Sequence, residues 1–321
     1  MHYDQDKSLI SKITWLYYIN DYTQQQIAEI MHISRTKVTR YLQKAKQMGL
    51  VKISVDTDYR SCFEKEQQLQ EKLGLKDVVI CPAAATADDT LNNVGLAGAA
   101  HLKNMLTADD RLGVAWGRGI YHLAIHLNPV KPVGDKRIEV IQLMGGLGQS
   151  GRNNPEEIVK EIARRLGASG TWLNAPAIVS SLETRDLLQS DDGVRAVFDK
   201  ASRCTKCLLG LGDVDESASL RITGFLSAEA LAELKAKGAV GDILGRFFDV
   251  NGDSVHSSIS DRTMSVPIEV IKQVPERIAF VTGLYKTEAI VGASRGGIIN
   301  ALVTDEDTAD RVLQYLDQYR A

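Results

Sequence analysis

Between Glu29 and Asp56 the chain carries six basic residues, Arg35, Lys37, Arg40, Lys44, Lys46 and Lys52, and no acid. The whole chain is net −3, so this cationic run is local. Side chains of this kind offer charge-assisted hydrogen bonds to phosphate and bidentate contacts to base edges. At about 100° per residue, Thr36, Lys37, Arg40, Gln43, Lys44 and Gln47 fall away from an apolar stripe of Val38, Leu42 and Ala45. A basic face opposite an apolar one suits a recognition helix in the DNA major groove. Ser34, Arg35, Thr36, Lys37 and Arg40 would reach base edges, and Lys44, Lys46 and Lys52 would touch phosphates. Thr23, Gln24 and Thr39 complete the expected DNA-facing set. The plain alternative is a solvated charged face on an ordinary helical domain. The caps, the spacing and the acid-free run favour DNA.

The elements that must position this face can be read around it. Thr23 and Gln26 make a capping box, in which a hydroxyl serves the first free N–H groups and an amide reaches back three residues. Ile27, Ala28 and Met31 supply a short apolar stripe, and His32-Ile33 is the turn. Ser34 caps the next helix and Gly49 ends it. A first helix over Lys7–Tyr18 turns Ile10, Ile13, Leu16 and Tyr17 to the same core. Leu50 to Val55 alternates apolar and polar, the pattern of a wing strand. A winged helix-turn-helix domain is expected over residues 1–55, and a second domain over 56–321. Residues 56–73 form a charged amphipathic connector, with Phe63, Leu69 and Leu73 as its apolar side. It reads equally as a dimer helix or as a helix on the second domain's surface.

From Lys76 onward strands and helices alternate, as in a mostly parallel sheet with helices on both faces. Ligands of such sheets sit beyond the carboxyl ends of the strands. Three glycine turns stand at expected strand ends: W-G-R-G (116–119), G-G-L-G (145–148) and L-G-L-G-D (209–213). Glycines let backbone approach an anion, a following helix offers free N–H groups, and Arg118 adds charge. Asp242 lies in the apolar A-V-G-D-I. Lys286 precedes a helix start, where a cation opposes the helix dipole unless an anion is near. Read from spacing alone, these two are a turn aspartate and a solvated lysine. Asn251-Gly252 marks a hairpin.

Composition excludes several classes. The chain is 44% hydrophobic and 25% charged, with no apolar run near the ~20 residues that span a bilayer. The N-terminus lacks the apolar core of a signal peptide, so a cytoplasmic protein is expected. Four cysteines, Cys62, Cys81, Cys204 and Cys207, supply no second pair to match C-T-K-C. That motif reads as two unrelated reduced thiols, with no metal site. His122, His126 and His256 are scattered, so no catalytic constellation, and no cofactor, is expected.

The chain resembles the SorC type of bacterial sugar-responsive transcription regulators. The likeness rests on L-Y-Y…T-Q-Q-Q-I-A-E…S-R-T-K-V-T-R-Y-L-Q-K-A, on L-G-V-A-W-G-R-G, Q-L-M-G-G-L-G and L-G-L-G, on A-V-G-D-I-L-G-R-F-F-D-V-N-G, and on K-T-E-A-I-V-G-A-S-R-G-G-I-I-N-A-L-V-T-D. It implies an α/β fold: a winged helix-turn-helix joined to a Rossmann-like effector domain of the sugar-phosphate-isomerase type. It implies a tetrameric repressor or activator of a carbohydrate operon that binds double-stranded DNA and a sugar or sugar phosphate. It places Trp116, Gly117, Arg118 and Gly119 at a phosphate, with Gly145, Gly146, Gly212, Asp242 and Lys286 lining the pocket. One departure stands out. Similar proteins that bind phosphosugars often carry threonine or serine in the first loop, where this chain has W-G-R-G, Ile120 and Tyr121. Either Arg118 replaces those donors or the ligand is not phosphorylated. The competing function is a sugar-phosphate isomerase or deaminase with an accessory N-terminal domain. A protein-interaction role for the winged domain is a third reading, which its acid-free face opposes.

Overall fold

A computed structural model of the chain describes residues 5–51, 59–128, 138–148, 154–216 and 218–319. The chain divides into two compact units, Met1–Asp58 and Tyr59–Ala321. The expected boundary after residue 55, and most of the expected wing strand, fall on 52–58, outside the described residues.

The first unit contains α1 (Gln5–Tyr18), α2 (Gln24–Ile30) and α3 (Arg35–Gln47). Thr23 Oγ1 accepts from the Gln26 N–H, and Gln26 Oε1 accepts from the Thr23 N–H at 2.9 Å, so the capping box forms. His32 takes a left-handed φ of 52°, which turns the chain between α2 and α3. Ser34 Oγ then accepts from the Lys37 N–H at 3.2 Å to start α3. Gly49, at φ 68°, follows its end. Ile13, Leu16, Ile27, Ala28, Val38 and Leu42 form one buried core.

The second unit opens with α4 (Arg60–Leu73), then β1 (Asp77–Cys81), α5 (Ala87–Met105), β2 (Arg111–Val114) and α6 (Arg118–His126). It continues through β3 (Glu139–Gln142), α7 (Pro155–Leu166), β4 (Ser169–Thr171), α8 (Leu182–Ser190), α9 (Asp192–Ala201) and β5 (Lys206–Leu209). Next come β6 (Gly212–Asp213), α10 (Ser219–Ile222), α11 (Ala228–Ala236), β7 (Gly241–Ile243), β8 (Arg246–Phe248) and β9 (Ser254–Val255). Two short helices, α12 (Ser258–Asp261) and α13 (Ile268–Ile271), lead to β10 (Glu276–Phe280). A single 3-10 turn, Leu284–Lys286, precedes α14 (Thr287–Arg295), β11 (Ala301–Asp305) and α15 (Glu306–Gln318).

Seven strands form one sheet in the order β1-β11-β10-β5-β2-β3-β4, with every pair parallel. Its inner strands are buried on both faces, as a sheet covered by helices requires. Strand order reverses between β2 and β5: after β2 the chain moves out to β3 and β4, and after β5 it moves the other way to β10 and β11. Such a reversal leaves a crevice at the carboxyl ends of the two strands. A second sheet, β6-β7-β8-β9, is antiparallel. Its last hairpin turns at Asn251-Gly252 as expected, with Gly252 at φ 81°. The rest of this sheet is not legible in the sequence.

In α4 the buried face differs from the expected one. Cys62, Leu69 and Leu73 face inward, seven and four residues apart, whereas Phe63 is 54% exposed and stacks on Tyr59. Phe63 lies one residue, about 100°, off that stripe. Lys65 donates to Glu306 and Asp310 at 2.7 Å each, which ties α4 to α15 on the surface of the second unit.

Candidate functional site

A cavity of about 60 Å3 opens at the carboxyl ends of β2, β5 and β10. At roughly 10–15 Å3 per water it has room for about four to six waters, or for part of a small polyol. Its wall comes from separate segments. Trp116, Gly117, Arg118 and Gly119 follow β2; Gly210, Leu211, Gly212 and Asp213 follow β5; Thr282, Tyr285 and Lys286 follow β10. Asp242, on β7, and Ser219, at the start of α10, close it.

Glycine is needed here for close approach. A Cβ on Gly210 would lie 2.7 Å from the Trp116 carbonyl oxygen, and one on Gly119 would lie 2.8 Å from that of Phe280. The loops after neighbouring strands therefore touch backbone to backbone. Gly117 takes φ 136° to start α6, whose first turn faces the cavity with free N–H groups and the positive end of the helix dipole. Arg118, exposed, stands in that turn. A helix start with a cation beside it is a geometry that suits an anion.

Another part of the wall carries the acids. Asp242 is 4% exposed and accepts from the Gly245 N–H at 3.1 Å. Burial pushes its pKa up to about 7, against the pull of that N–H and of Lys286 and with the help of Asp213. Gly212 is its cross-strand partner, and a Cβ there would fall 1.8 Å from Asp242 Oδ1. Only glycine leaves room for this carboxylate. Lys286 is half-buried, and its Nζ donates to the Leu211 carbonyl at 2.7 Å. Burial lowers its pKa, and Arg118 adds to the lowering, while Asp213 and Asp242 oppose it. Asp213 is also held above the ordinary carboxylate range by burial. Two carboxylates and two cations thus share one cavity. Such an arrangement can take an anionic group at the Arg118 end and hydroxyl groups at the acids.

Trp116, Gly117, Arg118, Gly119, Gly212, Asp242 and Lys286 converge on this cavity. Gly145 and Gly146 do not line it. They follow β3, one strand beyond the reversal, and pack against backbone: a Cβ on Gly145 would meet the Ala175 oxygen at 2.4 Å, and Gly146 bridges to Pro176. Asp213, Ser219, Thr282 and Tyr285 join the wall without being expected from the sequence. Asp213 has a signal, an acid directly after a glycine turn at a strand end. The others lie in segments without one.

No histidine lines the cavity among the described residues. His126 pairs with Asn92 at 2.7 Å and His256 with Asp261 at 2.9 Å. Cys204 and Cys207 are both free thiols, and they lie in contact with each other. Both are buried and their sulfurs lie beside Gly113, 3.1 and 2.9 Å from where its Cβ would be. The contact with Cys204, followed by burial, raises the Cys207 thiol pKa. No cluster of His, Cys, Asp or Glu among the described residues is fit to hold a metal. Nor is any described helix long and apolar enough to cross a membrane.

On the first unit, Arg35, Thr36, Arg40 and Lys44 are exposed along α3, with Lys37 and Thr39 partly so. Lys37 and Arg40 both lie over the Tyr41 ring, at 5.7 and 5.9 Å from its centroid. Thr39 donates to Gln24 Oε1 at 2.8 Å and so links α3 to α2. Thr23 and Ser34 serve first as caps.

Residues 57–314 match a sugar-binding domain family, and residues 13–48 match region 4 of sigma-70 factors. The chain is 33% identical to the transcriptional regulator YjhU of Escherichia coli, over 94% of this chain and 92% of that one. It is 32% identical to the deoxyribonucleoside regulator of Bacillus subtilis, over 95% and 97%. The crystal structure of the full-length sorbitol operon regulator SorC from Klebsiella pneumoniae superposes with a TM-score of 0.74 at 29% identity, covering 97% of this chain and all of that one. With a DNA-reading helix-turn-helix joined to a sugar-binding domain, the chain belongs to the SorC family of transcriptional regulators.

Proposed function

We propose that this regulator binds an operator in double-stranded DNA through α3 and that a sugar or sugar phosphate in the cavity sets its DNA affinity. It acts on a carbohydrate-utilisation operon, as a cytoplasmic homo-oligomer, dimer or tetramer, without cofactor or metal. Arg35, Thr36, Lys37 and Arg40 face the bases, with Thr23, Gln24, Ser34, Thr39 and Lys44 around them. The observation that carries the effector half is the meeting of Arg118, Asp242 and Lys286, from three distant segments, in one cavity. Effector control requires different ligand affinity in the two DNA-binding states. The test is fluorescence anisotropy of the DNA flanking its own gene, titrated with sugars, polyols and their phosphates. One class of these should change the operator Kd by about 5- to 150-fold. A panel that leaves operator binding unchanged overturns effector control.

One observation favours the enzyme reading. Asp242 ionises near neutrality, as a general base should. Turnover of a pentose or hexose phosphate by the purified protein would establish it.

A further inference from the structure

Asp213 is the second acid of the cavity wall, and its bonding is incomplete. It is 6% exposed, yet its Oδ2 is buried with no hydrogen-bond partner. Lys286 acts on it through charge and donates to the Leu211 carbonyl instead. The other nearby carboxylate, Asp242, already accepts from Gly245. A buried acceptor left open in the free protein is destabilising and calls for a reason, and in the wall of a cavity a ligand's hydroxyl supplies one. Arg118 and the free N–H groups of the cavity stand at the start of α6, after β2, whereas Asp213 comes from the segment after β5.

We infer that Asp213 reads a hydroxyl of the effector. It accepts an O–H hydrogen bond from the polyol part of a ligand whose anionic group, a phosphate, sits at Arg118 and the first turn of α6. The ligand class is a phosphorylated sugar or polyol with a free hydroxyl away from its phosphate. This rests on the effector reading above and adds to it a residue that selects the ligand.

Asp213→Asn and Asp213→Ala test it. The alanine variant guards against the new amide acting as a substitute partner. Calorimetry on the full chain uses glycerol 3-phosphate, D-ribose 5-phosphate and D-glucose 6-phosphate, with glycerol, ribose and glucose as controls. Melting of the unliganded proteins is recorded in parallel. The expected result has two parts. Both variants bind the probe that the unsubstituted chain prefers about 10- to 100-fold more weakly, the value of a hydrogen bond to a charged acceptor. The unliganded Asp213→Asn protein melts no lower than the unsubstituted chain, because an unpaired charge has been removed. A purely structural residue would lower both. Unchanged binding in both variants, or Asp213→Asn melting well below the unsubstituted chain, overturns the inference and leaves the effector reading standing. Tighter binding of an unphosphorylated control than of its phosphate overturns the assigned class. If no probe binds the unsubstituted chain, the effector reading falls and the inference with it.

Discussion

Replacing Asp242 by asparagine should remove a pH dependence of stability that the cavity imposes. Asp242 is 4% exposed, and burial raises its pKa from 3.8 to about 7. Between these two values the folded chain keeps a proton that the unfolded chain has given up. Folding therefore binds a proton in that window, and stability falls as pH rises from about 4 to about 7, then levels off. The span is about three pH units at ~1.36 kcal/mol each, so Asp242 costs the folded state ~4 kcal/mol above neutrality. Asparagine has the same shape, carries no charge and can still accept from the Gly245 N–H. Urea unfolding at pH 5 and pH 8 checks this. Near pH 5, about 1.2 units above the ordinary value, the variant should be more stable by ~1.6 kcal/mol; at pH 8 the gain should reach ~4 kcal/mol. Asp213, raised in the same direction, remains in the variant and leaves a smaller residual slope of the same sign. Lys286, lowered, acts with the opposite sign, since the unfolded chain then binds the extra proton. A difference between variant and unsubstituted chain that does not change with pH would refute the reasoning. It would mean that Asp242 is ionised in the folded chain, its charge already offset by its neighbours.

Gly212→Ala should displace Asp242, because the new Cβ would fall 1.8 Å from its Oδ1. Thermal melts should show destabilisation by ~1–3 kcal/mol, and anisotropy should show no ligand-induced change in operator binding. Gly145→Ala should lower the melting temperature through its clash with the Ala175 carbonyl, while calorimetry finds ligand affinity unchanged. Leu42→Ala should cost ~2–5 kcal/mol, since it empties part of the small core formed with Ile13, Leu16, Ile27, Ala28 and Val38. Scanning calorimetry should then show the first unit melting early while ligand still stabilises the second. Arg35→Ala and Arg40→Ala together should weaken operator binding. Anisotropy should show a loss of about 1–3 kcal/mol for each base contact removed, with relaxed base preference, whereas Lys44→Ala should make the slope of log K on log salt shallower by about 0.9.

The fold is legible wherever local signals agree with tertiary demand. The helix over Pro155–Leu166 carries its own start and stop, with Pro155 in its first turn and Gly167 just past its end, and the structure adds Asn154 as its N-cap. The capping box at Thr23 and Gln26 and the turn at Asn251-Gly252 also rest on contacts a few residues apart. What does not show is the rest of the sheet around that turn, β6 and β7. These strands are two and three residues long, too short for alternation to register, and exist because neighbours complete their hydrogen bonds. The inner face of α4 is hidden for a related reason. Phe63 is the larger apolar residue, but the register of the stripe through Leu69 and Leu73 selects Cys62.

The site is legible in its parts and not in its arrangement. All three glycine turns follow strands, and one-dimensional reading ranks them alike. Strand order separates them: β2 and β5 are neighbours at the reversal, so their turns meet, while the turn after β3 lies one strand further out and packs its glycines against 175–176. Lys286 illustrates the same point from the side of charge. Spacing alone marks it as an unfavourable cation before a helix. In the fold the positive end of α14 is offset by Asp213 and Asp242, both brought in by the antiparallel sheet that the sequence conceals. The second sheet is therefore what converts a generic anion-binding corner into a cavity with an acidic wall. On the proposed effector reading, a chain with the same glycine turns but no carboxylate at 213 or 242 would keep the anion-suited corner and lose two acceptors for the hydroxyls of a polyol.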